Sequence, residues 1–572
     1  MLFAALAFVS FLLWQAWQQD YESKPPTEIA NTTDVPAASA AATSGDVPKA
    51  PTQNVSAPPV NDSAPVAETR VVHVRTDVLD LGISLSGGAI VRADLLQYPL
   101  DPSDKTKPVR LLDTNGATYF AAQSGLLSQN SAAPDHRAPF SAAADEYTLA
   151  AGNDTLEVPL TWQDASGLRV QKVYVFKRGS YLIETREEIA NGGSSAWSGS
   201  EYRQLQRVPP VISGGGFSFN NPEKVAFAGA VWYSPQDKFQ KLAFDKFQTD
   251  KLCPLGATTP EGQEHCSYQG GWVAMLQHYF FAAWIPAQDE KDSFQYKTLP
   301  DARGMTRYLV AAVSPSVTVE PGQTRAITAH LYVGPTLQTQ LDAIEQANIA
   351  HGLSLTADYG YLTFIAEPFH WILVKLYSLV GNWGVAIILL VLLIKLVMFK
   401  LTEAQFRSMA KMRKLQPRME ALKERYGDDR QKLSQATMEL YQKEKINPLG
   451  GCLPMVIQIP VFFALYYVLL ESVELRQAPF FGWLQNLSAP DPYFVLPIVN
   501  AAIMGATTWL APTSPGMDPM QARMMKIMPL MFAVLFLFFP AGLVLYYTVN
   551  GGLSLLQQWV INHRIQAADK PR

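Results

Sequence analysis

A chain of 572 residues exceeds the ~250 to 300 residues at which a single apolar core stops growing, so at least two folding units are expected. The formal net charge of −4 argues against a broadly basic, DNA-binding surface. A mean hydropathy of +0.02 with 17% charged residues is the average of two unlike parts, one strongly apolar and one of ordinary soluble composition.

Residues 1–19 open on an apolar run that ends in Trp14 and Trp17 and is followed at once by Gln18, Gln19 and Asp20. A cleaved signal peptide and a retained signal anchor both fit this. The missing A-x-A-like cleavage site and the interfacial tryptophans favour the anchor. Residues 20–69 are crowded with Pro, Ala, Ser and Thr and carry no periodicity, so they are expected to form a disordered tether.

From residue 70 the pattern changes to short alternating runs. Tyr181, Ile183 and Thr185 oppose Glu184, Arg186 and Glu188, while Ile327, Ala329, Leu331 and Val333 alternate with Thr328, His330 and Tyr332. Period-two runs bounded by Gly, Pro and Asn read as half-buried antiparallel strands, so 70–350 is expected to be an all-β sandwich closed by a short helix over Leu341–Ala350. Cys253 and Cys266 lie within it, and the third cysteine, Cys452, sits beside a later apolar run. No C-x-x-C spacing supports zinc. If the domain is exported, the first two form a disulfide; otherwise they are reduced thiols of a surface insertion.

Residues 356–378 mix Phe364, Phe369, Trp371 and Leu376 with Glu367, His370 and Lys375, too polar to span a bilayer but suited to lie in its interface; a core helix of the β domain is the alternative. Apolar segments then follow at 379–400, 450–471, 493–511 and 527–549, each near the ~20 residues that cross ~30 Å of hydrocarbon. With the anchor they are read as five transmembrane helices, with 550–572 a tail. Between Lys400 and Lys445 there are twelve basic and seven acidic residues, against one basic and three acidic from Glu471 to Asp491. The positive-inside rule therefore places 401–447 in the cytoplasm. Both termini are expected there too, with the β domain outside. Thr402 and Gln405 make a capping-box pattern, Met412, Leu415, Met419 and Leu422 recur at helical steps, and Gly427, Asp428 and Asp429 supply a turn, so 401–447 is expected to be a helical hairpin. Its Arg407, Lys411, Arg413 and Lys414 form a solvated face or meet lipid headgroups and ribosomal RNA.

Enzyme signatures are missing: there is no P-loop, HExxH or GxSxG, and Gly214-Gly215-Gly216 runs into Phe217, as a turn would. Neither a catalytic residue, nor a metal site, nor a cofactor is assigned. The informative residues are polar ones in apolar segments. Lys395 is either snorkelling to the interface or serving a purpose inside the span. Gln458, Asn500, Thr507, Thr508, Tyr546, Tyr547 and Asn550 gain nothing by facing lipid, and with Lys395 they suggest a hydrated hollow of positive bias, with Phe462 beside it.

The segments Phe8-Val-Ser-Phe with Trp14-Gln-Ala-Trp, Ser408-Met-Ala-Lys-Met-Arg, Asn447-Pro-Leu-Gly-Gly-Cys, Ser472-Val-Glu-Leu-Arg-Gln-Ala-Pro-Phe, Asp518-Pro-Met-Gln and Gly542-Leu-Val-Leu-Tyr-Tyr closely resemble the bacterial YidC/Oxa/Alb family of membrane insertases. The resemblance implies an inner-membrane insertase and chaperone that uses no cofactor or nucleotide and works alone or with the Sec translocon on nascent membrane proteins. It further implies a five-helix core with a hydrophilic groove open to the cytoplasm, a periplasmic β super-sandwich and a cytoplasmic helical hairpin. The family's groove cation aligns with Lys395, where most members carry Arg; a lysine keeps the charge and loses the bidentate fork. Two rival readings are a small-solute transporter or channel, for which the inverted repeats are missing, and, by analogy to galactose mutarotases, a carbohydrate-handling β domain.

Overall fold

The computed structural model describes residues 46–48, 70–128, 131–210, 226–255, 266–300, 305–404, 415–427, 429–444, 453–510, 527 and 531–568. The anchor at 1–19, Gly214 to Gly216, the hairpin cations Arg407, Lys411, Arg413 and Lys414, and Cys452 lie outside them.

Alternating polarity becomes two large sheets. Among the described residues twelve strands form one and nine the other. In the strand Leu182–Asn191 every second residue is buried, and it pairs antiparallel with Thr324–Pro335, Thr185 opposite Ala329. The last third of Thr324–Pro335 is buried on both faces, Tyr332 included, because the strand Phe280–Ile285 and helix α1 (Gln338–Gln346) enclose it. That helix starts three residues before the expected Leu341 and stops at Gln346; a 3-10 turn, Leu353–Thr356, follows. Leu341, Ile344, Ala350 and Leu353 join the sandwich core, which packs the helix and the turn after it against the sheets. Cys253 and Cys266 are joined by a disulfide, their Cα atoms 5.7 Å apart.

Between the sheets sits a set of buried charges. Lys172 Nζ lies 3.0 Å from Glu187 Oε1, with both side chains 2% exposed, and donates to Gly87 O and Ser124 Oγ, each at 2.9 Å. Arg203 donates to Glu201 Oε2 at 2.5 Å, and Asp292 lies 4.0 Å away. Lys172 and Arg203 each have a carboxylate, the arrangement that keeps burial of charge tolerable, whereas the buried Arg207 donates to Gln277 Oε1 and lies over the Phe120 ring. The tether reading fails at Asp46, Val47 and Pro48, which dock on the larger sheet with Pro48 buried.

The helical unit begins with α2 (Thr363–Val380), which packs on α3 (Trp383–Val397) and α6 (Leu453–Glu471) through Ala366 and Leu373. It leaves Phe364 72% and Trp371 62% exposed, so it is no core helix of the β domain. Gly381 ends it at φ 65°, and Asn382 caps α3 by accepting from Val385 N–H at 3.1 Å. The expected capping box at Thr402 is absent: residues 399–404 are already helical, and Thr402 Oγ1 donates back to Met398 O at 3.0 Å. Beyond, α4 (Gln416–Tyr426) and α5 (Arg430–Lys443) pair as a hairpin, Asp429 capping the second by accepting from Lys432 N–H. Two more helices, α7 (Val495–Leu510) and α8 (Ala541–Ala568), complete the unit.

The apolar stretch 527–549 is not one helix. Residues 531–536 are helical, 537–540 turn, and α8 then runs 28 residues through what the hydropathy reads as a tail. Pro540 is the cause, since it lacks an N–H and its ring blocks the turn before it. Among the described residues no helix is long and apolar enough to cross a membrane; α3, at 15 residues, reaches about 22 Å at 1.5 Å per residue.

The segment after α6 joins the two units. Val473 belongs to the β-domain core, whereas Leu475 and Ala478 belong to the helical core. Arg476 and Gln477 donate to Pro99 O at 2.9 and 3.1 Å, and the His278 imidazole meets Leu470 O at 3.1 Å. Burial of His278 outweighs that hydrogen bond and pushes its pKa down to about 4. Phe480 lies on Gly384, where a Cβ would come within 2.0 Å of its ring.

Candidate functional site

Lys395 sits in the last turn of α3, on a helix whose Leu392, Leu393, Leu396 and Val397 are exposed. Its side chain is half-buried and turns toward α8, donating to Ser554 Oγ at 2.6 Å; Ser554 in turn donates to Asn550 O at 2.8 Å. Among the described residues it makes no ion pair. On α8 the residues Tyr547, Asn550, Ser554 and Gln557 follow one another at steps of three and four, so they share one helix face. Sequence reasoning missed Ser554 and Gln557 because it ended the apolar segment at Val549. Their continuation of that spacing was the available signal.

A second cluster lies two turns earlier. Gln458 Nε2 on α6 donates to Tyr546 Oη at 2.9 Å, and the Phe462 ring lies 5.2 Å from that of Tyr547. Phe536 flanks Tyr547 from the other side at 5.0 Å. The Tyr547 hydroxyl and Gln557 Oε1 are buried without a partner among the described residues. Polar atoms left so in an apolar setting are open to any donor or acceptor that enters.

The three α7 residues do not join these clusters. Thr507 Oγ1 donates to Ile503 O and Met504 O, and Thr508 Oγ1 to Met504 O, all within their own helix. Asn500 is buried, its amide 3.8 Å from Met504 Sδ. What places α7 against α8 is Gly551, where a Cβ would lie 2.8 Å from Ile503. The site assembled by the described residues is thus an α3–α6–α8 seam: one cation, hydroxyls, amides and aromatic faces. Among the described residues no group of His, Cys, Asp and Glu is arranged to hold a metal ion.

Among the described residues a lysine without a counter-ion, on a helix with exposed leucines and packed beside a β sandwich, is the arrangement of a membrane protein. Two family models divide the chain, the one described as the YidC periplasmic domain matching residues 71–372 and the 60Kd inner membrane protein model matching 375–569. The membrane protein insertase YidC of Methylococcus capsulatus is 44% identical over 97% of this chain and 96% of its own, and that of Nitrosococcus oceani 43% identical over 99% and 98%. A crystal structure of an active YidC insertase covers 86% of this chain and 93% of its own at 18% identity and a TM-score of 0.37, too loose a likeness to argue from. The chain belongs to the YidC family of inner membrane proteins.

Proposed function

We propose that the chain is a membrane protein insertase that receives nascent membrane proteins at the α3–α6–α8 seam and releases them into lipid, alone or beside the Sec translocon. The observation that carries this reading is Lys395, a cation whose hydrogen-bond partner is the hydroxyl of Ser554 and which has no carboxylate among the described residues. A charge at the centre of a span is disfavoured by ~2.5 to 3.5 kcal/mol on insertion scales, so an acidic flank crossing bare hydrocarbon meets a barrier of that order. Beside Lys395 Nζ, Ser554 and Asn550 the flank has a charge and hydroxyls to replace water. The client's apolar segment meanwhile slides past Phe462 and Tyr547 into lipid. No covalent bond changes, and the family names of the relatives support the same activity.

The break at Pro540 supports a definite topology. Five crossings would leave the termini on opposite faces; splitting 527–549 gives six, and both ends are then cytoplasmic. The turn before α8 lies on the same side as the loop after α6, since Ala541 and Gly542 donate to Ala489 O and Leu487 O. That side also carries the β domain, where a Cys253–Cys266 disulfide suits an oxidising periplasm. The hairpin α4–α5, with Arg407, Lys411, Arg413 and Lys414 before it, then stands in the cytoplasm, where lipid headgroups or a ribosome would meet it.

The test is insertion of an acidic-tailed client by the chain reconstituted in liposomes. Lys395→Glu is expected to slow it at least tenfold and Lys395→Arg to leave it near normal. Full-rate insertion by Lys395→Glu would sink the reading.

A further inference from the structure

The docked piece of the tether sits in a site more elaborate than an anchoring contact requires. Arg137 donates to Asp46 Oδ1, and Asp46 Oδ2 lies 3.3 Å from His136 Nε2. His136 is buried, and behind it lies Tyr202, wholly buried. Tyr202 Oη accepts the His136 backbone N–H at 2.9 Å and stands 2.6 Å from His136 Nδ1. A hydroxyl already accepting one N–H turns its own proton to Nδ1, which leaves the imidazole proton on Nε2, facing the carboxylate. Gly125 keeps this pair in place: a Cβ there would come within 2.8 Å of Tyr202 Oη and 2.9 Å of the Asp135 backbone. Burial alone would raise the Asp46 pKa, yet the His136 hydrogen bond, together with the neighbouring imidazole and the Arg137 guanidinium, brings it down to about 2.

With Asp46 seated, a cleft of about 440 Å³ stays open beside it, lined by Val71, Ser84, Val91, Thr114 and Gln123. One side has fixed donors for a carboxylate, and the other has apolar and hydroxyl-bearing walls with room for further side chains. That is the anatomy of a peptide site: a charged anchor point with an adjoining groove.

We infer that this face of the β domain is a receptor for a carboxylate carried on a polypeptide, occupied in the resting chain by Asp46 of its own tether. Exported acidic segments of client proteins compete with the tether for it. This second clause rests on the insertase reading; the receptor itself does not. Intramolecular occupancy acts as a high local concentration of ligand, so the site is closed to weak external peptides until the tether is removed.

The experiment uses the full chain in nanodiscs and a fluorescent peptide reproducing residues 44–49, followed by anisotropy. The Asp46→Asn chain is expected to bind it at least tenfold more tightly than the wild type. The same peptide with Asn in place of its Asp should lose that affinity, as should the double variant Asp46→Asn with Arg137→Ala, whose second site is part-exposed and not a core position. Equal weak binding by wild type and Asp46→Asn, or equal binding of the Asp and Asn peptides, would overturn the receptor. Photocrosslinking from Thr114 to an acidic exported loop of a client, present in Asp46→Asn and reduced in wild type, is expected; no crosslink in either overturns the client clause. Insertion rates of the Lys395 variants report on the seam and are read separately from peptide binding.

Discussion

Lys172 in the sandwich and Lys395 in the helical unit are both lysines held away from bulk water, and the molecule treats them differently. The first is clasped by Glu187 and two further acceptors at 2.9 to 3.0 Å; the second meets a serine hydroxyl. A buried cation with its own carboxylate is satisfied and serves the fold. A cation with only a hydroxyl keeps most of its electrostatic attraction unspent, for whatever anion arrives.

The comparison breaks most directly at Lys172. Replacing it by Met leaves Glu187 buried without its cation and is expected to destabilise the β domain by ~3 to 5 kcal/mol, read by pulse proteolysis of the full chain in denaturant. Joint replacement by Lys172→Met and Glu187→Leu should restore most of the loss; a single-variant effect below ~1 kcal/mol would remove the distinction between the two lysines. At the junction between the units, His278 is neutral in the folded state because its pKa lies near 4, below the ordinary 6.5. Its contribution is complete above pH 6.5 and fades as pH falls toward 4, on the order of 3 kcal/mol in all. The groups facing it are Glu471, at 4.0 Å, and Arg476. Protection factors of the amides of 470–477, that is, exchange corrected for its intrinsic slowing at lower pH, should fall from pH 6.5 to 4.5, and His278→Gln should flatten that fall. The smallest effect is expected at Lys395→Met, which should change thermal stability in detergent by less than ~1 kcal/mol while removing the charge on which the proposed insertion step rests. A large loss of stability there would make Lys395 a structural residue like Lys172.

Local sequence carries what has a local period. The strands around Ile183 and Leu331 are legible because alternate burial leaves alternate polarity, and α2 is legible from its mixed face. Glu187 is not, since a carboxylate on the buried side of a strand makes sense only through Lys172 on the neighbouring strand. Thr507 and Thr508 mislead because a hydroxyl in a helix has its own carbonyls to bond, which sequence alone cannot tell from a polar lining. The end of 527–549 was readable from Pro540, but a hydropathy window averages over a single proline; that same averaging hid Ser554. The docking of Asp46 leaves no local trace, as its partners lie ninety residues away.

Val473 and Leu475, two residues apart, are rooted in different cores. Synthesis runs from the N-terminus, so the sandwich is complete in the chain long before this segment emerges. The seat is made first and the peg arrives later. During the protein's own biogenesis the Glu471 end of α6 therefore meets residues synthesised well before it, and Val473 has a seat waiting when it arrives.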